Sequence, residues 1–467
     1  MRRLAILLCF LLFAGSAHAQ SGLRVLALTD IHFDPTASGI TPALAAAPVE
    51  EWAALLQSAK PGASGYPRYG RDTPWSLLHS ALDAVQTAAP SPAFVIVTGD
   101  LLAHGFRWHF QRATGDADRA HYTAFVLKTT TFVLQRISAR FPGRPLFLAL
   151  GNDDSDCGDY RLAPSGVFLH GTLPLVQSLA GAAGDPAFAP AWLSGEGYDL
   201  PLPGIAGHRV IFLNSVYFSR NYEDVCGTGA VRDPGAAALD WLEARLAAAD
   251  AAGEHAWLLM HVPPGGDVYE DRMAGHCPNQ LPPMWKPAFT RQFLDIMARH
   301  PGTIRAIFAG HTHMDEFRLV GRGGRNLGFV VTVPAISPIY GQNPGFGLYE
   351  VAADGALLDR QTWIADNLPR AASGEPVAWR QEYGFDALWG APKLDLPAME
   401  RLSAQIREDA RVRDDWLSVF RAGNLAAWNL KGGIDTLPAA RLRAHECAIR
   451  FVDPDEYARC YCETPAP

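Results

Sequence analysis

Five short apolar runs in this chain each stop at a residue type that often binds metal ions. The runs cover residues 23–29, 93–98, 145–150, 255–260 and 304–309. Their lengths and apolar content predict buried strands. Because sites in open α/β sheets form outside the carboxyl ends of strands, we expect the side chains that follow these runs to converge. The chain is therefore restricted to a fold that gathers five strand ends around one centre.

The residues that follow the runs form five short motifs. They are Asp30-Ile31-His32, Gly99-Asp100, Gly151-Asn152-Asp153, His261 and Gly310-His311-Thr312-His313. Positions 30 and 32 alternate, so an extended chain would point both side chains to the same side. Taken singly, such motifs are more typical of turns or of structural histidines. Together and in this order, they predict metal ligands at Asp30, His32, Asp100, Asn152, His261, His311 and His313.

This ligand set mixes carboxylate, amide and imidazole groups. Such a mixture suits Zn²⁺, Fe or Mn²⁺, and zinc is the first choice. One carboxylate can bridge two ions, and two ions about 3.5–4 Å apart can clamp the attacking and leaving oxygens of a phosphoryl transfer. We therefore expect two divalent metal ions. A serine-hydrolase elbow of the Gly-x-Ser-x-Gly type and a P-loop do not occur in the sequence.

Helical segments alternate with the strand-like runs along the chain. Helical spacing occurs at residues 75–89, 121–140, 237–252 and 289–299, and a further strand is predicted at 208–216. Residues 36–75 are interpreted as a loop or cap with one short helical patch near 49–59. This alternation predicts an α/β architecture. Beyond His313, residues 327–333, 347–353 and 356–362 predict consecutive strands. The expected fold is a β-sandwich flanked by helices, with a small helical C-terminal region.

Four segments follow from the composition along the chain. Residues 1–19 combine the basic pair Arg2 and Arg3, an apolar run and the pattern Ala17-His18-Ala19, which together predict a signal peptide. Residues 20–369 are the predicted catalytic domain, 370–395 a linker with Gly and Pro, and 396–467 a helical region. We therefore expect a secreted or periplasmic protein.

Charge and cysteine content agree with export. Removal of residues 1–19 takes away Arg2 and Arg3 and no acidic residue, which changes the net charge from −8 to −10. An acidic chain is not expected to bind nucleic-acid polymers through its overall field. The remaining cysteines are Cys157, Cys226, Cys277, Cys447, Cys460 and Cys462. An even number in an exported chain indicates disulfides, and Cys447 is expected to pair with Cys460 or Cys462.

The ordered motifs resemble the calcineurin-like metallophosphoesterase family over residues 22–365. The tracts Tyr69-Gly70-Arg71-Asp72, Pro334-Ala335-Ile336-Ser337-Pro338 and Asn343-Pro344-Gly345-Phe346 narrow the resemblance to the acid sphingomyelinase-like branch. The resemblance implies that Asp30, His32 and His313 hold one metal, that Asn152, His261 and His311 hold the second, and that Asp100 bridges them with a hydroxide. That hydroxide would be the nucleophile, because metals lower the pKa of bound water.

One position departs from the family pattern. The third motif is usually Gly-Asn-His, and here Asp153 stands in place of the histidine. A carboxylate beside two cations would have a lowered pKa and would be a poor acid. Three readings follow: Asp153 folds away to bind its loop, His104 supplies the cation or the proton, or the substrate has a good leaving group. Tyr340, His276 and His109 are weaker candidates for the site.

The residues leave the substrate and one alternative function open. A sphingomyelin-type substrate predicts a lipid-facing apolar patch with transient membrane contact, whereas nucleotides or polyphosphate would be soluble and anionic. Trp416, Val419, Phe420 and Trp428 would form such a patch or pack against the catalytic domain, and packing is the more usual role. The alternative function is a metal-binding protein that has lost turnover through the change at Asp153. The complete ligand set favours a phosphoesterase.

Overall fold

The computed structural model describes residues 22–60, 62–227, 229, 231–268, 282–428 and 438–463. The predicted signal peptide at 1–19 and the candidate His276 lie outside these ranges. The strands, in chain order, are β1 (Leu23–Leu28), β2 (Phe94–Val97), β3 (Leu146–Leu148), β4 (Gly197–Pro201), β5 (His208–Leu213), β6 (His255–Leu259), β7 (Ile304–Ala309), β8 (Phe317–Arg322), β9 (Arg325–Thr332), β10 (Gly345–Val351), β11 (Leu357–Ala365) and β12 (Trp379–Gly384).

The α-helices in the same ranges are α1 (Thr41–Ala46), α2 (Trp52–Ser58), α3 (Trp75–Ala88), α4 (Phe106–Thr114), α5 (Arg119–Arg140), α6 (Val167–Leu179), α7 (Phe188–Ser194), α8 (Pro234–Ala252), α9 (Pro287–Arg299), α10 (Leu368–Ala371), α11 (Phe385–Trp389), α12 (Leu396–Glu408), α13 (Ala410–Phe420), α14 (Ala439–Arg450) and α15 (Pro454–Glu463). Short 3₁₀ helices occupy 35–38, 49–51, 63–65, 215–218 and 425–428. Across the described residues, no helix is both long and apolar enough to cross a bilayer.

The strands form two mixed sheets of six strands each. One sheet has the order β12-β11-β10-β1-β2-β3, in which β1, β2 and β3 are parallel. The other has the order β4-β5-β6-β7-β9-β8, in which β5, β6, β7 and β9 are parallel. The predicted motifs follow the carboxyl ends of five of these parallel strands, namely β1, β2 and β3 of one sheet and β6 and β7 of the other. The topology therefore brings the five motifs to one edge of the molecule.

Aromatic side chains join the two sheets face to face. Phe94 of β2 lies 5.9 Å from Trp257 of β6, measured between ring centroids, and Phe308 of β7 lies 5.2 Å from Tyr349 of β10. All four side chains are buried. Burial of rings of this size contributes on the order of 2–3 kcal/mol each, so this layer is a main source of stability. The predicted α/β sandwich flanked by helices is confirmed.

The predicted linker at 370–395 does not behave as a simple connection. It contains β12, which pairs with β11 and extends the first sheet, and the short helix α11. The Trp379 ring of β12 lies 5.5 Å from that of Phe346 between centroids, and its Nε1 donates a hydrogen bond to Ser80 Oγ at 2.8 Å. The Gly and Pro residues that suggested a linker flank this strand. Strands β4 and β8 were also absent from the sequence prediction, because Asp199 and Arg318 interrupt their apolar residues.

The predicted cap at 36–75 is more ordered than a loop. It contains α1 and α2, and Trp52 of α2 is fully buried. The Trp52 ring packs 5.4 Å from Phe125 and 5.6 Å from Phe132 of α5, measured between centroids. These contacts fix the segment that leads to Asp72 beside the strand ends.

The C-terminal helices pack against the sandwich. The side chains of Trp416, Val419, Phe420 and Trp428 are buried, so they are core residues and are not available as a lipid-facing patch. The backbone N–H of Asp315 donates to Phe420 O at 3.0 Å, which ties α13 to the segment after His313. A disulfide joins Cys447 to Cys460, one of the two pairings expected from the sequence. A second disulfide joins Cys157 to Cys226.

Candidate metal centre

The carboxyl ends of β1, β2, β3, β6 and β7 bring the seven predicted ligands together. Six of them are nearly inaccessible to solvent: Asp30, His32, Asp100, Asn152, His261 and His313. His311 is partly buried. Every one therefore faces the interior of one polar cluster, where charges need partners to offset the cost of desolvation.

Three side chains form a first group around His32. His32 Nε2 lies 3.2 Å from His313 Nε2 and 3.8 Å from Asp30 Oδ1, and His313 Nε2 lies 3.4 Å from the same carboxylate oxygen. The group thus offers one oxygen and two nitrogens that point at a common position.

A second group surrounds His261. His261 Nε2 lies 3.0 Å from Asn152 Oδ1 and 3.1 Å from Asp100 Oδ2. His311 contributes a ligand atom to the same cluster, in which the candidate atoms of Asp100, His261 and His311 lie within 4.8 Å of one another. Asp100 Oδ2 is also only 3.4 Å from His32 Nε2. A single carboxylate oxygen therefore stands between the two groups.

The spacing within both groups fits metal ions. Two ligand atoms of one tetrahedral zinc ion, at bond lengths of about 2.0–2.1 Å, lie about 3.3 Å apart. The separations of 3.0–3.8 Å found here bracket that value. The donor set is of the mixed oxygen and nitrogen type that zinc, iron and manganese accept. The His and Asp side chains of this cluster could therefore hold metal.

Backbone carbonyls orient two of the imidazoles. His32 Nδ1 donates to Leu102 O at 2.8 Å, and His261 Nδ1 donates to Thr98 O at 2.6 Å. These bonds fix the ring tautomer, so that the Nε2 lone pair faces the cluster in the neutral form. Both rings therefore present Nε2 to the cluster.

The backbone at the cluster is strained. Five predicted ligands have positive φ angles, namely Asp30 at 46°, His32 at 42°, Asp100 at 55°, His311 at 72° and His313 at 64°. Such conformations cost on the order of 1 kcal/mol or more per residue and concentrate at functional sites. The expectation that residues 30 and 32 lie in an extended segment is therefore wrong. β1 ends at Leu28, and left-handed turns, rather than strand alternation, direct both side chains inward.

Two glycines in the motifs are required by close approach of the loops. A Cβ atom at Gly151 would lie 2.0 Å from Asp100 Oδ1, and one at Gly310 would lie 2.2 Å from Thr29 Oγ1. Any larger residue would push apart the loops that carry the ligands. This explains why glycine precedes Asn152 and His311.

The surrounding charges give the histidines very different pKa values. Burial lowers the pKa of His261, but Asp100 and Asp30 outweigh it and raise the value to about 9. Burial lowers the pKa of His311 to about 3, and His261 adds to that effect. Burial would raise the pKa of Asp100, yet the facing His261 and His32 hold it far below its usual range. Metals bind the neutral imidazole, so metal uptake must displace a proton from His261.

The raised pKa of His261 predicts how the stability of the protein depends on pH after a chelator has removed any metal. The pKa of His261 in the folded protein lies above the unfolded value of about 6.5. Its contribution to the free energy of unfolding is therefore fully present below pH 6.5 and is lost as the pH rises through about 9. We expect chelator-treated protein to lose on the order of 3 kcal/mol of unfolding free energy between pH 6 and pH 9.5. Urea unfolding measures this loss. The variant His261→Asn should show a flatter profile, and equal slopes in both proteins would contradict the assignment.

The Asp153 carboxylate faces the cluster. Asp153 Oδ2 lies 3.9 Å from His32 Nδ1 and 4.0 Å from His104 Nε2, and it accepts a 3.4 Å hydrogen bond from Asn152 Nδ2 of its own loop. Burial, together with Asp100 and Asp159, raises its pKa well above the usual value. This rise comes from the protein groups alone, and the lowered pKa expected beside two cations stays a prediction.

His104 lies beside the first group and is held by a carboxylate that the sequence did not assign. Its ring stacks on His32 with centroids 4.0 Å apart. Its Nδ1 lies 3.0 Å from Asp72 Oδ1, and its backbone N–H donates to Asp72 Oδ2 at 3.0 Å. Ser337 Oγ also donates to Asp72. The Tyr69-Gly70-Arg71-Asp72 tract of the predicted loop or cap therefore reaches the site through Asp72.

Of the weaker candidates Tyr340 and His109, the first lies in the site and the second lies beside it. Tyr340 belongs to the site, since its ring lies 4.7 Å from that of His313 and its hydroxyl 3.4 Å from His104 Nε2. His109 instead faces Asp34 at 3.7 Å.

Tyr160 is a further residue of the site that no motif indicated. Its hydroxyl lies 3.2 Å from His311 Nε2, and its backbone N–H donates to Asn152 O at 2.9 Å. Its φ of 55° is again in the left-handed region. The phenol thus orients one ligand while its backbone holds the loop of another.

Replacement of Tyr160 by phenylalanine tests this role. Loss of a hydrogen bond to a metal-bound histidine typically reduces metal affinity about 10–100-fold. We expect a decrease of that size for Tyr160→Phe, measured by competition with a chromogenic chelator. Tyr66→Phe, which removes a hydroxyl away from the cluster, serves as the control. Unchanged affinity in Tyr160→Phe would show that the phenol does not orient His311.

Comparison with known proteins agrees with this geometry. The human acid sphingomyelinase-like phosphodiesterase 3b is 26% identical over 98% of this chain and 94% of its own length. The human sphingomyelin phosphodiesterase is 28% identical over 86% of this chain and 60% of its own length. The rat cyclic GMP-AMP phosphodiesterase SMPDL3A is 25% identical over 72% of this chain and 71% of its own length. The resemblance inferred from the motifs is confirmed.

A family model described as calcineurin-like phosphoesterase matches residues 23–315, which is more than half of the chain. The matched segment contains all five motifs and both ligand groups. The protein is therefore a metal-dependent phosphoric ester hydrolase, and the chain belongs to the calcineurin-like phosphoesterase family.

Proposed function

We propose that this chain is an exported phosphodiesterase that works with two divalent metal ions, zinc in the first instance. The observation that carries the proposal is the position of Asp100 Oδ2, 3.4 Å from His32 Nε2 and 3.1 Å from His261 Nε2. A carboxylate oxygen between two groups of oxygen and nitrogen donors suits a bridging role. Asp30, His32 and His313 would hold one ion, and Asn152, His261 and His311 the other.

When bound, such ions neutralise phosphate charge and activate water for in-line attack. The protein contributes hydrogen bonds that orient the candidate ligands. Leu102 O and Thr98 O fix the two imidazoles that face Asp100. Asp154 accepts hydrogen bonds from the backbone N–H groups of Asp100, Leu101 and Gly151, which holds the loop of the shared carboxylate. This preorganisation lowers the reorganisation cost of the reaction.

His104 is the proposed proton donor to the leaving oxygen. Asp72 holds Nδ1, which leaves Nε2 directed toward the cluster, where it lies 4.0 Å from Asp153 Oδ2. An imidazole oriented by a carboxylate is a usual arrangement for general acid catalysis. Asp153 would shape the substrate side of the site and would not donate the proton.

Diester substrates are favoured by the relatives. Two of them are named for cleavage of sphingomyelin and of cyclic GMP-AMP, which are both phosphodiesters. The complete set of candidate ligands opposes the alternative of an inactive metal-binding protein. The disulfides Cys157–Cys226 and Cys447–Cys460 support export, because such bonds persist in oxidising compartments.

The test compares metal-stripped and zinc-restored protein on sphingomyelin, ATP and bis(p-nitrophenyl) phosphate. We expect zinc-dependent hydrolysis of a diester. Phosphocholine release from sphingomyelin would establish the lipid reaction, whereas activity confined to ATP or the activated diester would indicate a requirement for good leaving groups. Full metal occupancy without hydrolysis of any phosphoester would overturn the proposal and favour the binding protein.

A further inference from the structure

The loop that carries Asn152 is attached by a covalent bond outside the metal cluster. Residues 151–166, which follow β3, contain neither helix nor strand, and the same holds for residues 220–227 beside them. A disulfide joins Cys157 of the first segment to Cys226 of the second, 69 residues further along the chain. The conformation of the loop therefore depends on contacts between the two segments and not on regular secondary structure.

The loop closes on itself around Cys157. The backbone N–H of Tyr160 donates to Asn152 O at 2.9 Å, so Cys157 lies between two residues that are bonded to each other. Both of these residues contact the second ligand group: Asn152 Oδ1 lies 3.0 Å from His261 Nε2, and the Tyr160 hydroxyl lies 3.2 Å from His311 Nε2. A displacement of the loop at Cys157 would therefore reach two imidazoles of that group.

The other links between the two segments are weak. The backbone N–H of Glu223 donates to Tyr160 O at 3.1 Å, and the Tyr222 hydroxyl donates to Leu162 O at 3.1 Å. Arg161 pairs with Glu223 at 3.1 Å, but the two side chains are 46% and 59% exposed. Exposed ion pairs contribute little to stability. The disulfide adds a covalent constraint to these contacts and therefore sets the spacing of the segments.

The bond also lies where a thiol reagent can reach it. Cys157 and Cys226 are both partly exposed, whereas Cys447 of the disulfide with Cys460 is buried. Arg119 Nη2 lies 3.0 Å from Cys226 Sγ and 3.4 Å from Cys157 Sγ. A guanidinium beside a sulfur stabilises the thiolate, and a stabilised thiolate leaves faster in thiol–disulfide exchange. Reduction should therefore cut this bond before the other.

We propose that Cys157 and Cys226 are positioning residues whose disulfide sets the second metal position, so that the second ligand group binds zinc tightly only in the oxidised protein. The inference rests on the two-metal site of the proposed function. In the reduced chain the loop loses its outer attachment, and the Asn152 oxygen is no longer held beside His261. The first group around His32 contains no ligand from this loop and keeps its affinity.

The redox change consists of two exchange steps. The thiolate of an incoming dithiol attacks Cys157 Sγ, and the Cys226 sulfur leaves as a thiolate beside Arg119. The second thiolate of the dithiol then attacks its own sulfur in the mixed disulfide and releases the Cys157 thiolate. Two electrons pass to the protein, and the released thiolates take up the two protons that the dithiol gave up. The reverse exchange, with a protein disulfide as the oxidant, forms the bond. The second metal position therefore matures only in an oxidising compartment.

Zinc affinity before and after reduction tests the inference without turnover. The protein is treated with tris(2-carboxyethyl)phosphine, and the reagent is removed by desalting under nitrogen. Competition with a chromogenic chelator should then show that one of the two zinc ions binds about 10–100-fold more weakly, while the other is unchanged. Reoxidation of the same sample with oxidised glutathione should restore both affinities, which separates the effect from irreversible unfolding. Equal affinities in the oxidised and reduced protein would overturn the inference.

Two double variants identify which disulfide is responsible. Cys157→Ala/Cys226→Ala should show the weak binding in all conditions and no response to the phosphine, and it also removes thiolates that would bind zinc themselves. Cys447→Ala/Cys460→Ala lacks the disulfide between α14 and α15, which supply no candidate ligand, and is the matched control. It should keep both affinities and the full response. A response that persists in the first variant, or that disappears in the folded control, would contradict the assignment.

Hydrolysis of bis(p-nitrophenyl) phosphate by the same samples separates this inference from the proposed function. Two zinc ions, one of them bound with redox-dependent affinity, but no hydrolysis would refute the proposed function alone. Zinc-dependent hydrolysis with zinc affinities that reduction does not change would refute the role of the disulfide alone.

Discussion

Asp100→Asn should reduce phosphodiester hydrolysis by roughly a thousandfold or more, because the amide cannot serve two cations as a carboxylate does. The substitution keeps the size of the side chain. It also keeps an oxygen that can accept the 2.8 Å hydrogen bond from the backbone N–H of Asp153. The fold should therefore survive while the electrostatic link between the two ligand groups is lost.

The measurement is kcat/KM for bis(p-nitrophenyl) phosphate, together with metal content and circular dichroism of the same samples. Asp83→Asn on α3, which changes a carboxylate that is 52% exposed and away from the cluster, is the control. We expect the control to match the wild type. Substantial turnover by folded, metal-free Asp100→Asn would contradict the proposed mechanism.

His104→Asn is expected to cause the second-largest loss of hydrolysis, and the size of that loss should depend on the leaving group. For an alkyl leaving group, loss of a general acid typically costs about 10²–10⁴-fold in rate. For p-nitrophenolate, which needs no proton, we expect a loss of less than about tenfold. A plot of log kcat/KM against leaving-group pKa should therefore be steeper for the variant than for the wild type.

Asp72→Asn separates positioning from proton donation. It removes the charge that orients His104 and leaves the imidazole in place. We expect an intermediate loss with alkyl esters and little loss with p-nitrophenyl esters. If His104→Asn lowers kcat/KM by the same factor for all substrates, the imidazole acts in binding or in structure and is not the general acid.

The candidate metal cluster could be located from the sequence because its residues directly follow strands that the local sequence predicts. Each of the five motifs follows an apolar run, and parallel strands place their carboxyl ends at a common edge. Asp30, His32, Asp100 and His261 are found together for this reason. Strand alternation nevertheless does not explain the positions of Asp30 and His32, since left-handed turns direct both side chains inward.

The supporting residues could not be found in the same way. Asp72 reaches His104 across 32 positions, and Tyr160 reaches His311 across 151 positions. No periodicity or spacing reports such contacts, because they depend on how loops fold over the sheet ends. The tract that contains Asp72 gave a signal through family resemblance, whereas Tyr160 gave none.

The fold departs from the sequence prediction where strands lack a clear apolar pattern. In β12, whose sequence is WRQEYG, Arg380 and Gln381 are exposed, and the strand forms because it pairs with the longer β11. Tertiary pairing can override weak local preference in this way. The predicted helices α3, α5, α8 and α9 agree with the structure within a few residues, because their buried faces recur with helical period.

Titration of the metal-stripped protein with zinc tests the central claim most directly. Diester hydrolysis is followed as zinc is added in steps to a known concentration of protein. The proposed site predicts that activity rises to a plateau at two zinc ions per chain and that Asp100→Asn stays inactive throughout. Full activity in the metal-stripped protein, or a plateau at one ion per chain, would contradict a two-metal centre built on Asp100.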